Sequence, residues 1–365
     1  MTIAHVTGPS HGGIRAHVLM VATAQREAGR RVTVSELGGP GWRDWVAGAI
    51  RLWGIAKGAQ VIHAHGLRAG AAAVLAVRLS APWRRRGIMG AGKAGGRGIN
   101  LTGGGPRHRP RVVVTLHTYP PGGTLWPRFL SSVLGRVTAR ADLVLGVSSE
   151  IVDWIARLGA RHPARALVPP PPGRPSRPEK EVRQELGVPD DHFLIVTVAR
   201  LAGQKGLPLL VATAARLKDR PLTWVIAGEG PLRAQLEAII KKRDLPVRPL
   251  GRRPDVPDLL GAADAVVSTS LTEGQPVALQ QALAAGCAVV ATDVGGTRET
   301  LADGATLVAP EAGALADGIG HLLDDPAARD ALRRRAAARA AALPTLQDLE
   351  TQLRWAYGAQ RSPNG

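Results

Sequence analysis

Two cations in the second half of the chain are spaced to hold a polyphosphate. In VTVARLAGQKGLPLLVATAARL, residues 196–217, an apolar run delivers Arg200, a Gly-containing loop follows, and Lys205 arrives five residues later, just before a helical pattern. Arg offers phosphate oxygens a planar fork and Lys a compact point charge. Such a pair at a strand end suits a diphosphate, and fixed cations help most where a leaving group gains negative charge. A second stretch, TSLTEGQPVALQQALAAGCAVVATDVGGTRET at 269–300, holds a Glu-Gly turn at Glu273 and Gly274, then Pro276, an Ala-rich run and Gly286. Pro276 fits the first turn of a helix, and Gly286 fits its left-handed end. Ala288 to Thr292 then reads as a short buried parallel strand. A helix N-terminus beside a strand end is a place for anionic ligands. Glu273 is expected at the mouth of that place, opposite the two cations. Histidines form a third group. His63 and His65, in VIHAHG, end one strand pattern, and His117, in VVVTLH, ends another. The first two suggest a metal pair by type. No third ligand stands at useful spacing, so they read as structural or acceptor-side.

These groups need a frame, and the chain repeats one twice. In the first half, strand patterns at Ile3–Val6, Val32–Ser35, Val61–His63, Val112–Thr115 and Leu143–Val147 alternate with helical ones. In the second half, strand patterns at Phe193–Val198, Thr223–Ala227, Ala265–Ser268 and Ala288–Thr292 do the same. Strands alternating with helices imply parallel sheets with functional loops at the carboxyl ends of the strands. The expected domains are 1–168 and 169–345, with a tail at 346–365 that packs back on the first. VPPPPGRPSRP at 168–178 reads as a stiff linker between them. Residues 81–110, rich in Gly and Arg and lacking an apolar period, read as a flexible basic insertion.

The two stretches at 196–217 and 269–300 resemble the signatures of retaining nucleotide-sugar glycosyltransferases of family 4, glycosyl transferases group 1. The resemblance implies the GT-B fold, an α/β architecture of two tandem Rossmann-like domains facing a central cleft. It implies that Arg200 and Lys205 neutralise the leaving nucleoside diphosphate. Glu273 would bind hydroxyls of the donor sugar, with Gly274 in the same turn. The family places a second Glu eight positions after the first, for the ribose; here that position is Gln281. Gln keeps an acceptor oxygen, loses the charge and adds two donors. Gly228 and Gly230, in GEGP, resemble the family's turn near the nucleotide, and Gly251 and Arg252 stand where its backbone meets the base. Gly12 and Gly13 resemble its N-terminal loop, whose N–H groups approach a phosphate or sugar. His117 falls where members carry a histidine near the reacting sugar. Ser148 and Ser149 match a helix start, where a serine caps rather than attacks.

The implied activity is transfer of a sugar from a UDP- or GDP-sugar to a hydroxyl acceptor with retained configuration. No metal is expected, because no Asp-x-Asp cluster is present and the two cations take its electrostatic part. The donor is a co-substrate, so no cofactor is expected. Gln281 supports an alternative, a non-catalytic or weakly active binder of nucleotide sugars or glycans. A dinucleotide-dependent oxidoreductase is disfavoured, since TGPSHGG after the first strand does not fit Gly-x-Gly-x-x-Gly. The formal charge of +18 fits an Arg-rich bias or attraction to an anionic membrane. Nucleic acid is ranked last, for want of a recognition module beside the charge. Cys287 is the one cysteine, which excludes an internal disulfide and fits a reducing compartment. The protein is expected to be cytoplasmic, free or peripheral to the inner face of the membrane.

Overall fold

A computed structural model describes residues 1–8, 13–38, 42–86, 109–118 and 125–358. The chain forms two compact units, one of Met1–Ala166 joined by the chain from Glu350 onward, the other of Leu167–Leu349.

The first unit runs β1 (Thr2–Thr7), α1 (Gly13–Glu27), β2 (Arg31–Glu36), α2 (Trp42–Ala56), β3 (Val61–His65) and α3 (Leu67–Arg86). It continues through β4 (Arg111–Leu116), α4 (Leu125–Thr138), β5 (Leu143–Gly146), α5 (Ser149–Arg157) and β6 (Pro163–Arg165). Its sheet is wholly parallel in the order β2-β1-β3-β4-β5-β6. β3 and β4 are buried almost end to end, as strands covered on both faces must be. Residues 81–86 of the expected insertion continue α3 as helix. Residues 87–108 of that segment lie outside the described residues.

The second unit runs α6 (Glu179–Glu185), β7 (Phe193–Val198), a 3-10 turn (Gly203–Lys205), α7 (Leu207–Arg216), β8 (Leu222–Ala227), α8 (Arg233–Arg243) and β9 (Val247–Gly251). Then come α9 (Val256–Ala262), β10 (Ala265–Ser268), α10 (Val277–Ala284), β11 (Ala288–Thr292), α11 (Thr297–Leu301), β12 (Thr306–Val308), α12 (Ala312–Asp324) and α13 (Pro326–Ala341). A last helix, α14 (Leu346–Ala356), carries the chain into the first unit. The sheet is again parallel, in the order β12-β11-β10-β7-β8-β9. Alternate residues feed two cores. Ile195, Trp224, Val267 and Val290 meet α7 and α12 on one face. Leu194, Val225, Val266 and Val289 meet α9, α10 and α13 on the other. Trp224 is fully buried and donates its indole N–H to Thr197 Oγ1 at 3.0 Å, so its polar edge is satisfied.

Local chemistry explains the ends of α10. Pro276 sits at the N-cap, one residue ahead of the first helical turn expected for it. At the other end Gly286 is left-handed, with φ of 71°. Its N–H reaches Leu283 O at 2.9 Å and that of Cys287 reaches Ala282 O at 3.0 Å, the two bonds of a Schellman stop. Cys287 is buried and its thiol is pushed up to about 12 by that burial, so it is a packing residue.

The Pro-rich segment is not a free spacer. Ser176 and Arg177 donate backbone N–H bonds to Asp258 Oδ1 at 2.6 and 3.2 Å, and the Arg177 guanidinium also reaches Asp255 and Glu185. Val168 O accepts from Gln275 Nε2 and Gln280 Nε2. An extended strap without secondary structure thus satisfies its backbone on side chains of the second unit.

Candidate active site

In the second sheet, the connections diverge from β7, to β8 on one side and to β10 on the other. Open parallel sheets bind ligands at such a switch point, beyond the carboxyl ends of the strands. The loop after β7 carries Arg200 and Lys205, and the loop after β10 carries Glu273.

Those loops are sewn together through their backbones. Leu271 N–H donates to Gln204 O at 2.9 Å, and Thr269 Oγ1 donates to Lys205 O at 2.9 Å. Gly206 is left-handed at φ of 62°, and a Cβ there would lie 1.9 Å from Thr269 O. The loop after β8 joins from the other side. Leu201 N–H donates to Glu229 O at 3.0 Å, and a Cβ on Gly230 would lie 2.3 Å from Leu201 O. Gly228 N–H donates to Gly251 O at 2.8 Å. From β11, Gly296 N–H reaches Glu273 O at 3.1 Å, and a Cβ on Gly295 would come within 2.0 Å of the same oxygen. Glycines are therefore required here for close backbone approach. Replacing Gly206 by alanine should lower the stability of the second unit by about 2–4 kcal/mol. Gly203→Ala, whose Cβ meets nothing within 4 Å, serves as the control in the same denaturant titration. Equal losses in both would contradict the packing argument.

Lys205 and Glu273 meet directly. Lys205 Nζ donates to Glu273 Oε1, which also accepts from Ser270 Oγ at 2.7 Å. This corrects the expectation that the carboxylate stands opposite both cations, because β10 is hydrogen-bonded beside β7 and brings the two loops side by side. The side chains are 24% and 11% exposed, enough to reach a ligand and too buried for a mere surface pair. Arg200 is exposed and makes no side-chain hydrogen bond or ion pair among the described residues. Arg252 is exposed beyond β9, whereas its neighbour Arg253 is taken by Asp255 and Glu185. Gly274 is buried. Gln281 is partly buried on α10 with no side-chain hydrogen bond among the described residues. Gln280, which carried no motif signal, is the fully buried one and grips Val168 O at 3.0 Å. Ser270 was also missed, since an isolated serine in a loop carries no spacing signal.

The first unit gathers histidines. Parallel pairing sets His5 of β1 beside His63 of β3, and His65 beside Thr115 of β4, so these side chains share one sheet face. Gln25 of α1 and Tyr357, just past α14, complete the group. Gln25 Nε2 donates to Tyr357 Oη at 3.1 Å, which turns its Oε1 toward His5 Nε2 at 2.9 Å. Donor and acceptor capacity then fixes the rest. His5 Nδ1 accepts from His65 Nε2 at 3.0 Å, and His65 Nδ1 accepts from His117 Nε2 at 3.2 Å. Tyr357 Oη donates to His63 Nδ1 at 2.8 Å, and His63 Nε2 donates to Thr115 Oγ1 at 2.8 Å. Every ring in this chain is neutral with its proton on Nε2, and His117 Nδ1 ends it as an acceptor.

Burial enforces that neutrality. It pushes His5 and His17 down to about 4 and His117 to about 3, and holds His63 and His65 well below the usual histidine range. His17 of α1 meets His117 edge-on, with ring centroids 5.4 Å apart, and its buried Nδ1 has no partner among the described residues. The structure also corrects the expectation that no third histidine joins His63 and His65. His5, His63 and His65 bring ligand atoms within 4.8 Å of one another, near enough to hold a metal ion. Sheet register supplies His5, which sequence spacing does not reveal. The hydrogen bonds already occupy both nitrogens of all three rings.

Of the remaining candidates, Ser148 caps α5, its Oγ accepting from Ile151 N–H. Gly13 is exposed at the start of α1, and Gly12 lies outside the described residues.

The two parallel six-stranded units are the architecture of GT-B glycosyltransferases. The chain is similar over 99% of its length, and 100% of the other, to Anabaena HepE in complex with UDP-glucose, with 20% identity and a TM-score of 0.77. It is likewise similar to WaaG, a glycosyltransferase involved in lipopolysaccharide biosynthesis, over 98% of its length and 100% of the other, with 16% identity and a TM-score of 0.72. At those identities the likeness is one of fold. Residues 178–339, within the second unit, match the family glycosyl transferases group 1. Among curated proteins, the α-D-kanosaminyltransferase of Streptomyces kanamyceticus is 31% identical over 186 residues, 48% of each chain. The D-inositol 3-phosphate glycosyltransferase of Kineococcus radiotolerans is 32% identical over 241 residues, 56% of this chain and 54% of that protein. The chain thus spans about half the length of the curated relatives it matches.

Proposed function

We propose that this protein is a retaining glycosyltransferase that moves a sugar from a nucleotide diphosphate donor, a UDP- or GDP-sugar, to a hydroxyl acceptor without a metal ion. The carrying observation is the pairing of Lys205 with Glu273 at the switch point of the unit that matches glycosyl transferases group 1, with Lys205 on the same loop as Arg200, which engages no partner among the described residues. Arg200 and Lys205 meet the charge that builds on the departing diphosphate. Glu273, with Oε1 held by Lys205 and Ser270, keeps Oε2 for a sugar hydroxyl. Double displacement would need an unencumbered carboxylate, and the engagement of Glu273 favours a same-face route in which the phosphate oxygen takes the acceptor's proton. His117, implied to lie near the donor sugar, offers Nδ1 as an acceptor. The UDP and UDP-glucose bound by HepE, and the sugar transfer named for the curated relatives, support this reading.

Its test is a panel of UDP-, GDP- and dTDP-sugars, scored by thermal shift and then by nucleotide release with candidate acceptors. Stabilisation by a donor with acceptor-dependent release is expected, and no response to any donor would refute the reading. Gln281 favours a second reading, a binder of nucleotide sugars with little turnover. Gln281→Glu is expected to tighten donor binding, because a carboxylate accepts more strongly from a ribose hydroxyl than an amide does. Donor binding without release in both forms would support the binder. We place the protein in the cytoplasm, free or peripheral to the inner face of the membrane. Among the described residues, no helix is long and apolar enough to cross a membrane.

A further inference from the structure

Helices α2, α3 and α4 of the first unit lie side by side, α2 against α3 and α3 against α4. Seven of the twelve large apolar side chains exposed among the described residues fall on these three helices. Ile50 and Trp53 come from α2, Leu75 and Leu79 from α3, and Phe129, Leu130 and Val133 from α4, with Ile50 at 65%, Leu79 at 69% and Phe129 at 60% exposure. Cations are interleaved with them: Arg51, Arg68, Arg78, Arg128 and Arg136 are all exposed. Acidic residues are all but missing, since α3 and α4 contain none and α2 contains only Asp44. Basic helices elsewhere differ. α8 and α13 expose Lys241, Lys242, Arg334 and Arg335, with one acidic residue each, Glu237 and Asp330, yet neither exposes a large apolar side chain.

We propose that the α2–α4 face docks on the surface of an anionic lipid bilayer. Apolar side chains held in water among arginines, with almost no counter-charge, suit an interface that is apolar beneath and negative at its rim. A bilayer with anionic headgroups is such an interface, and the charge of a single sign selects it over a neutral one. Trp53 adds an interfacial type of side chain, with Lys57 Nζ 3.4 Å from its ring centroid. The contact is superficial, since among the described residues no helix qualifies to span. This inference does not depend on the sugar-transfer reading.

The test uses the full chain and sedimentation with vesicles of phosphatidylcholine alone or mixed with phosphatidylglycerol. The parent should bind the mixed vesicles, release at raised salt and ignore the neutral ones. Arg78→Glu/Arg128→Glu/Arg136→Glu and, separately, Ile50→Ser/Leu79→Ser should each weaken binding by about tenfold or more. Arg334→Glu/Arg335→Glu should bind as the parent does. All these side chains are exposed, so folding should persist, and circular dichroism checks it. Failure of the parent to bind anionic vesicles would overturn the proposal. So would an equal loss in the α13 variant, which would mean undirected attraction, or undiminished binding by Ile50→Ser/Leu79→Ser. A dimer that the serine variant dissolves, without vesicle binding, would reassign the face to contact between copies.

Discussion

Replacing Arg200 with alanine should lower kcat for sugar transfer by about 10²–10³-fold, the usual cost of losing one preorganised group aimed at developing charge. The thermal unfolding of the second unit should stay close to the parent's, because Arg200 is exposed and engages no described partner. Lys205→Ala should cost a similar factor and also some stability. It leaves Glu273, mostly buried, with only Ser270 on its bound oxygen. The loss should fall on kcat more than on KM, since an interaction that strengthens as the diphosphate departs is worth most in the transition state. Lys205→Ala/Glu273→Ala should be less damaged than the product of its single variants, because the two side chains contact one another. Donor-dependent rates measured on folded protein decide the matter. Near-parental turnover in both single cation variants would remove these residues from the chemistry.

The readable and unreadable parts of this site have distinct physical origins. β7, β10 and β11 match their apolar runs residue for residue, because strands buried on both faces must be apolar throughout. Gly286 announces the end of α10, because only a residue at ease with positive φ closes a helix that way. β9, with the sequence VRPLG and mixed burial, and β12, three residues of intermediate burial, offer no such contrast and go unseen. The meeting of Lys205 with Glu273 is a fact of strand order. Each is legible as a residue at a strand end, but their adjacency follows only when β10 is known to lie beside β7. His5 is hidden for the same reason. Nothing near position 5 marks it as a neighbour of position 63, and parallel register makes it one. Tyr357 is more remote still, and it reaches His63 and Gln25 only because α14 brings the chain into the first unit.

That histidine array makes the first unit the acid-sensitive one. His5, His17 and His117 are held neutral with folded values of about 4, 4 and 3, below the 6.5 expected once unfolded. The unfolded chain therefore binds more protons between those limits. Stability is complete above about pH 6.5 and falls as pH drops toward the folded values. Each such group forfeits about 1.4 kcal/mol per pH unit in that window, so these three alone cost on the order of 5 kcal/mol at pH 5. That is comparable with the whole stability of many domains, about 5–15 kcal/mol. His63 and His65 are shifted the same way by burial and by the neighbouring rings, and Arg26 on α1 adds to the effect on His5. Between pH 7 and 5, hydrogen exchange corrected for intrinsic rates should show β1, β3 and β4 losing protection before β7 and β8. His17→Leu removes a buried nitrogen that has no partner among the described residues, and should move the transition to lower pH. A first unit intact down to pH 4 would mean that the array takes up protons without unfolding, its nitrogens less sealed than their hydrogen bonds imply, and simultaneous loss of protection in both sheets would mean that the array does not single out the first unit.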